Sequence, residues 1–432
     1  MKFSFVLVFM IFMMFKSGVY AQNEYTIDDE IEEIIEYLNN RSVPLTGIVL
    51  DSVSNRVNEV AMTNNEFCFD LLLNVSQNDS GNVFFSPYSI SDALAITYEG
   101  AAGQTAEEIQ SVFHFPADDD SRRRGFSRIN SVINDDTEAY ELSTANALWA
   151  QKDYEFLEDY FQVICDFYDG TVTNLDFGNE PEQARITINN WVEEQTSHRI
   201  VDLISEGQIS PLTTLVITNA IYFKGTWLYQ FDEHKTSEMD FRLHYGNTVK
   251  TPMMYLHNED VKFDYFENDN LQMLELPYDG EELSMFVILP KENLDSIEDD
   301  LNSECFDEFT ASMEEEDVVI YLPRFSLDTR YLLNDNLSEM GMPLAFTGSA
   351  DFSGMTGFQA LYISVVIHQA FVNVNEEGTE AAAATAVIMD RATAAPSNKV
   401  FMANHPFIFL IMEKQTGTVL FIGKVVDPTD QG

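Results

Sequence analysis

The sequence predicts a mixed α+β protein with one large domain. Helical spacing of apolar residues dominates the first half of the chain, as in 92–101 and 180–197, whereas short strand-like apolar runs dominate the second half. Helices followed by strands indicate an α+β fold and not alternating βαβ units. No Pro-, Gly- or Ser-rich linker and no internal repeat follows Val60, so we predict a single domain over 60–432.

The strand predictions rest on runs of apolar and β-branched residues. Short buried strands are expected at 285–289, 318–322, 407–412 and 419–422, and a longer one over 363–375. With 45% hydrophobic and 12% aromatic residues, the chain has the material for a large core.

The first 21 residues have the pattern of a secretory signal peptide. Lys2 precedes an apolar run over 3–15, and small residues lead to Ala21, after which we expect cleavage. The run is too short to span a bilayer. A secreted, extracellular protein is therefore predicted.

Residues 22–59 are predicted to form an acidic N-terminal extension. Over 23–40, apolar residues recur at helical spacing among carboxylates, which indicates an amphipathic helix that docks on a basic partner, packs on the body or acts as a solubilising extension. Residues 41–59 have the character of connecting sequence.

The charge is strongly negative. There are 72 Asp and Glu against 23 Lys and Arg, a formal net charge of -49. Such a field repels phosphate backbones and anionic lipids, so neither nucleic acid nor membrane is an expected partner. The charge serves solubility or steers basic partners toward the protein.

The cysteines and the candidate glycosylation sites are consistent with a secreted chain. Only Cys68, Cys165 and Cys305 are present, too few for a disulfide scaffold, and we expect all three to be buried and unpaired. The candidate glycosylation sites are Asn40, Asn74, Asn78 and Asn336.

No catalytic motif is present. The chain has no Gly-x-Ser-x-Gly elbow, no His-Glu-x-x-His pair and no phosphate-binding glycine loop, and its seven histidines are scattered singly. We therefore expect no enzyme activity, no cofactor and no metal. His368 lies in an apolar run and is predicted to be a buried, hydrogen-bonded residue.

The segment 376–390 is the most informative part of the sequence. Gly378 permits a sharp turn, and the residues after it are small or β-branched. As an extended strand it would place Thr379, Ala381, Ala383, Thr385 and Val387 on one small, uncharged face. An alanine-rich helix is the alternative, but Thr, Val and Ile favour a strand able to join a sheet.

Several separated motifs resemble the serpin family in sequence and in order. They are residues 376–385, 401–410, 421–425, 82–90, 100–105, 218–225, 323–325 and 340–342. The resemblance covers nearly the whole chain past Val60.

The resemblance implies three β-sheets, eight or nine helices and an exposed reactive-centre loop over about 376–400. It also implies a monomer without a cofactor. A polar cluster called the shutter would lie beneath the sheet that admits the loop, formed by Ser86, Ser89, Asn219 and His368. The hinge, the segment that enters the sheet first, comprises Glu376, Glu377, Gly378, Thr379, Glu380, Ala381, Ala382, Ala383, Ala384 and Thr385.

By the same resemblance the protein is a suicide inhibitor of serine proteases. The protease would cut the loop and form an acyl-enzyme, and the loop would insert before hydrolysis. The reactive bond is expected at Arg391-Ala392, which suits a trypsin-like pocket that pairs with a guanidinium. The alternative, Ala392-Thr393, suits elastase-like or cysteine proteases.

The sequence leaves two further hypotheses, one about the function and one about a partner. A serpin-fold binding or storage protein would have a loop that does not insert. A heparin-like polyanion could bind Arg122, Arg123, Arg124 and Arg128, but nearby carboxylates such as Asp118, Asp119 and Asp120 argue against that partner.

Overall fold

The computed structural model describes residues 46–134, 140–168, 170–244, 246–379 and 399–431. The chain separates into two compact units, 1–55 and 56–432, and apart from the first ten residues of α1 the features below belong to the second. The signal peptide, Asn40 and the loop residues 380–398 lie outside the described residues.

The described residues contain ten α-helices, close to the eight or nine that the family resemblance implies, and two of the ten have only four residues. They are α1 Thr46–Asn78, α2 Pro87–Tyr98, α3 Gly103–Phe113, α4 Asp119–Ile133, α5 Glu158–Phe167, α6 Pro181–Gln195, α7 Asp295–Glu298, α8 Ser303–Ala311, α9 Asn334–Met340 and α10 Ser353–Thr356. Two short 3₁₀ helices cover Glu233–Lys235 and Pro343–Phe346.

The described strands form three sheets. The first has six strands in the order β12 (Phe325–Leu332), β13 (Ile363–Val374), β14 (Gly378–Thr379), β4 (Leu215–Thr226), β2 (Tyr140–Gln151) and β3 (Thr171–Leu175). We call it the loop sheet, because β14 is the beginning of the segment singled out from the sequence.

The second sheet has seven strands in the order β1 (Val83–Phe85), β17 (Thr418–Val425), β16 (Phe407–Glu413), β9 (Leu283–Pro290), β8 (Leu271–Pro277), β7 (Phe263–Glu267) and β10 (Glu314–Glu316). The third has β15 (Lys399–Met402), β11 (Val318–Pro323), β6 (Thr248–Leu256) and β5 (Ser237–Arg242).

The core explains why the apolar runs became strands. Strands β9 and β17 are buried along their whole length, so both of their faces require apolar residues and no alternation is visible in the sequence. Helix α2 is buried from Pro87 to Thr97. A second apolar cluster lies around Trp149 of β2 and Ile188 of α6.

The strand predictions are confirmed within one or two residues at most ends, and the long strand 363–375 is β13. The interpretation of 41–59 as connecting sequence is wrong in part, because α1 begins at Thr46. The chain has neither Gly nor Pro between Gly47 and Gly81, so nothing interrupts a helix there.

Candidate functional site

The hinge begins with a three-residue turn that brings the chain back into the loop sheet. Asn375 closes this turn: its side-chain oxygen accepts hydrogen bonds from the backbone N–H of Glu377 at 3.0 Å and of Gly378 at 3.3 Å. Backbone N–H groups of Trp227 and Phe231 donate to the carbonyls of Glu377 and Glu376, both at 2.9 Å. The start of the hinge is therefore fixed both by the side chain of Asn375 and by the backbone of the segment 227–231.

Strand β14 lies between the ends of β13 and β4. Thr379 pairs with Val374 on one side and with Gly225 on the other, and both pairings are antiparallel. A Cβ atom on Gly378 would lie 2.0 Å from the Gly225 carbonyl oxygen. Only glycine fits this close approach of two backbones.

Beyond β14, the two flanking strands pair directly with each other. Ile363 to Phe371 of β13 run parallel to Leu215 to Tyr222 of β4. A strand that continued β14 between them would exchange this parallel pairing for two antiparallel ones, which are slightly more stable per residue. The seam between β13 and β4 is thus the place where the loop sheet can accept another strand.

Thr379 occupies a small buried site at the top of the seam. Its hydroxyl is 2.8 Å from the hydroxyl of Tyr278, and both residues are fully buried. Tyr278 stacks on Trp227 with 4.5 Å between ring centroids. Burial raises the pKa of Tyr278, an effect that the Thr379 hydrogen bond only partly offsets, so the phenol stays protonated.

Glu376 forms a buried ion pair next to the hinge. It is 2% exposed, and Nε of Arg324 donates to its two carboxylate oxygens at 2.6 and 2.9 Å. The hydroxyl of Thr236 donates to the same carboxylate. Burial alone would raise the pKa of Glu376, but the hydrogen bonds from Arg324 and Thr236 lower it below its ordinary value.

Removing Arg324 is expected to loosen the hinge. In Arg324→Ala the buried Glu376 carboxylate loses its cation, and because Arg324 is itself 43% exposed, we expect a loss of about 2 kcal/mol rather than the larger cost of a fully buried pair. The midpoint of denaturant unfolding measures it. Arg330→Ala, which removes an arginine with only 3.4 Å bonds to carbonyls, should change the midpoint little, and equal effects of the two variants would contradict the assignment.

The four predicted shutter residues come together under the seam. Ser86 and Ser89 belong to the start of α2, Asn219 to β4 and His368 to β13, and all four are at most 1% exposed. The Nδ2 group of Asn219 donates to the backbone carbonyl of Ser89 at 2.7 Å. Asn219 Oδ1 and His368 Nδ1 form a hydrogen bond across the seam.

The partners of His368 define its tautomer. The backbone N–H of Ser86 donates to Nε2 at 3.1 Å, so Nε2 carries the lone pair and Nδ1 carries the proton donated to Asn219. Burial lowers the pKa of His368 to about 3. The histidine is therefore neutral at physiological pH.

The sequence reasoning missed polar residues that extend this cluster. Asn146 of β2 accepts from Ser89 Oγ at 3.0 Å and donates to Asp92 Oδ2 at 3.1 Å. Asn130 of α4 donates to Asp92 Oδ1 at 3.2 Å, and Tyr88 donates to Asn130 at 2.9 Å. The available signal was Asp92 itself, the one charged residue in the sequence of helix α2.

Three of the candidate polyanion-binding arginines are engaged within the fold. Arg122 is 2% exposed and pairs with the buried Glu99 at 2.9 Å. Arg123 pairs with the same carboxylate at 2.7 Å, and Arg124 pairs with Asp120 at 2.6 Å. Arg122 and Arg123 thus tie α4 to the end of α2, whereas Arg124 pairs within α4.

The glycosylation candidates differ in accessibility. Asn78 is exposed at the end of α1. Asn74 and Asn336 are half-buried, and the Asn336 amide donates to Asn74 Oδ1 at 2.7 Å. Asn40 lies outside the described residues.

The cysteine prediction is wrong in one respect. All three thiols are free, but only Cys68 is buried, whereas Cys305 is half-buried and Cys165 is exposed on α5. Cys165 follows Phe161 by one turn on the outer face of this helix, where 43% of Phe161 is also exposed.

Within the described ranges, no three or more His, Cys, Asp and Glu side chains are grouped so that they could hold a metal ion. Among the described helices, none combines the length and apolar character needed to cross a bilayer. The candidate reactive-bond residues Arg391, Ala392 and Thr393, and the hinge residues from Glu380 to Thr385, lie outside the described residues.

Comparison with known proteins assigns the class. The family model described as Serpin (serine protease inhibitor) matches residues 62–428. A serpin-like protein of Thermococcus kodakarensis is 45% identical over 370 residues, 85% of each chain. The leukocyte elastase inhibitor of Bos taurus is 39% identical over 379 residues, 86% of this chain and all of the relative.

The solved structures agree with the sequence relatives. The crystal structure of uncleaved ovalbumin superposes with a TM-score of 0.77 at 31% identity and covers 86% of this chain and 100% of ovalbumin. This chain belongs to the serpin family. Its three sheets and α+β architecture confirm the predicted fold class.

Proposed function

We propose that this protein is a secreted suicide inhibitor of serine proteases, with trypsin-like enzymes as its main targets. The mature chain would begin at Gln22 and act as a monomer. Serpins in general form complexes with proteases, and the relative named leukocyte elastase inhibitor supports an inhibitory role. In this proposal the chain is a substrate that traps the enzyme and is not itself an enzyme.

The observation that carries the proposal is the position of β14. Two hinge residues, Gly378 and Thr379, already pair with β13 and β4 at the open end of the seam. The residues that would follow into the seam are small or β-branched, with Glu380 the only charge up to Ala386. Insertion would extend the existing strand β14, so no new strand would have to nucleate.

The mechanism follows from the geometry of the seam. A protease serine attacks the loop and forms an acyl-enzyme, and the freed loop end enters between β13 and β4. About a dozen residues at roughly 3.3 Å each move the tethered protease by about 40 Å. The gain is the exchange of one parallel pairing for two antiparallel ones along the seam.

The reactive bond is proposed at Arg391-Ala392. Arg391 is the only Lys or Arg between Arg330 and Lys399, and a trypsin-like pocket gains strongly from a paired guanidinium. Cleavage one residue later, at Ala392-Thr393, would instead suit elastase-like or cysteine proteases.

The experiment that tests both points is incubation with a panel of trypsin-, chymotrypsin- and elastase-like proteases. We expect an SDS-stable complex with a trypsin-like member and a released C-terminal fragment that begins at Ala392. A fragment beginning at Thr393 would move the reactive bond by one residue. The variant Arg391→Ala should lose the trypsin-like complex while keeping the fold.

Cleavage of the loop without any covalent complex would overturn the inhibitory proposal. It would favour the second candidate, a serpin-fold binding or storage protein. Heparin is not a proposed partner, since Arg122, Arg123 and Arg124 are each paired with carboxylates of the protein.

A further inference from the structure

We infer that Asp92 is a positioning residue that orients Asn146 and Asn219 and thereby stabilises the closed seam between β13 and β4 in the uncleaved protein. The inference rests on the proposed insertion mechanism for its functional consequence. Its geometry, however, belongs to the uncleaved protein and can be tested without a protease.

Helix α2 carries three polar residues at three-residue spacing. Ser86 caps the helix, and Ser89 and Asp92 follow on the same face. Together they contact three strands of the loop sheet, and the hydroxyl of Ser89 also donates to Asn146 of β2. Ser86 donates its backbone N–H to His368 of β13, Ser89 accepts from Asn219 of β4, and Asp92 accepts from Asn146 of β2.

The carboxylate of Asp92 determines which atoms of the neighbouring asparagines donate hydrogen bonds and which accept them. A carboxylate only accepts hydrogen bonds, so Asn146 must present its Nδ2 group to Asp92. The Oδ1 atom of Asn146 is then left to accept from Asn219 Nδ2 at 2.5 Å and from Ser89 Oγ at 3.0 Å.

The side-chain oxygen of Asn219, Oδ1, is consequently the atom that contacts His368. Its Nδ2 group is used by Asn146 and by the Ser89 carbonyl, which leaves Oδ1 for the Nδ1–H of His368. Asn146 and Asn219 also stand directly opposite each other in the β2–β4 pairing. Strands β2 and β4 are therefore fastened to each other and to α2.

The His368–Asn219 hydrogen bond is different, because it crosses the seam. When β13 leaves β4, this side-chain bond must break. Asp92 acts on the seam through two intermediate residues, and it is 3% exposed, so water does not readily replace it.

The second carboxylate oxygen provides a matched control. It accepts from Asn130 of α4 at 3.2 Å. The variant Asn130→Ala removes the link from Asp92 to α4 but leaves the link to Asn146. If Asp92 merely fastens helices together, Asn130→Ala and Asp92→Ala should affect the seam alike.

The experiment is hydrogen exchange of peptides covering 215–222 and 363–371 in the uncleaved protein. Asp92→Ala should speed exchange there on the order of tenfold, because Asn146 loses its fixed acceptor. Asn130→Ala should leave exchange at the seam near the wild-type rate. Asp92→Asn, which can still offer an oxygen to Asn146, should restore most of the protection.

A double-mutant comparison with His368→Gln tests whether Asp92 acts on the seam through the hydrogen bonds of Asn146, Asn219 and His368 or only on its own neighbours. If Asp92 acts through Asn219 on His368, the increase in exchange caused by Asp92→Ala should shrink in the His368→Gln background. Independent effects that multiply would overturn the inference, as would unchanged exchange in Asp92→Ala. If Asp92→Ala does not fold, Asp92→Ser, whose side chain is too short to reach Asn146, replaces it.

These readouts distinguish the inference from the proposed function. A wild-type protein that forms no protease complex would refute inhibition, and the exchange rates would still judge the role of Asp92. Faster exchange at the seam in both Asp92→Ala and Asn130→Ala would refute the inference while leaving inhibition untouched.

Discussion

In the proposed mechanism, Thr379→Arg is expected to convert the protein from an inhibitor into a substrate. Thr379 is fully buried at the top of the seam, with its hydroxyl on Tyr278. An arginine there must either bury an unpaired charge, at a cost of several kcal/mol, or withdraw from the sheet. Because every later loop residue enters behind this position, insertion should slow on the order of 100-fold, since each 1.4 kcal/mol corresponds to tenfold.

The measurement is the number of inhibitor molecules consumed for each protease molecule trapped. Slow insertion lets water hydrolyse the acyl-enzyme, so cleaved protein should accumulate with little covalent complex. Ala395→Arg adds the same charge on the far side of both candidate reactive bonds, in a segment that would not insert under the proposed mechanism, and should inhibit normally. Efficient trapping by Thr379→Arg would show that this buried site is not on the insertion path.

Acidification is expected to destabilise the uncleaved protein through His368. Burial lowers the pKa of His368 to about 3, whereas an unfolded histidine has a pKa of about 6.5. Between these values the unfolded state binds the proton and the native state does not. The stabilisation contributed by neutral His368 is therefore complete above pH 6.5 and declines by about 1.4 kcal/mol per pH unit as the pH falls toward 3.

The physical reason is burial of the imidazole, which disfavours its charged form. Protonating Nε2 would turn an acceptor into a donor facing the Ser86 N–H, in a site where the charge has no water. Denaturant midpoints from pH 7 to pH 4 measure the effect. His368→Gln keeps a donor and an acceptor without titrating, so its midpoint should be lower at pH 7 but should change less on acidification.

His114 should behave in the opposite way and serves as an internal check. A hydrogen bond to Asp70 at 2.8 Å raises its pKa above the ordinary value. Its contribution is therefore present at low pH and is lost as the pH rises through the raised pKa. An identical pH profile for His114→Gln and His368→Gln would contradict both assignments.

Part of the fold was predictable because several strands are buried on both faces. The apolar runs that became β9, β16 and β17 have the length of strands and are too short for typical helices. Helix α1 was harder to predict at its start, where Gly47, Ser52 and Ser54 and the β-branched Ile48 and Val49 are weak helix formers.

The shutter was predictable only through resemblance to a family. Ser86, Ser89, Asn219 and His368 come from three separate elements, and nothing in their local sequence states that they meet. Asn146 and Asn130 were missed for the same reason. The Glu376–Arg324 pair was also missed, because it joins residues 52 positions apart.

The parallel pairing of β13 with β4 has an alternative that is closer in sequence, in which β13 pairs along its length with the residues that follow β14. The hydrogen bond between His368 and Asn219 joins residues 149 positions apart, whereas a hairpin of β13 with the residues after β14 needs a turn that begins at Asn375. Local contacts close sooner, because long loops cost more entropy and form more slowly. For the proposed loop insertion to stay available, the pairing of β13 with β4 has to form during folding before that hairpin does. The order of assembly, and not the final free energy alone, would then select the uncleaved form.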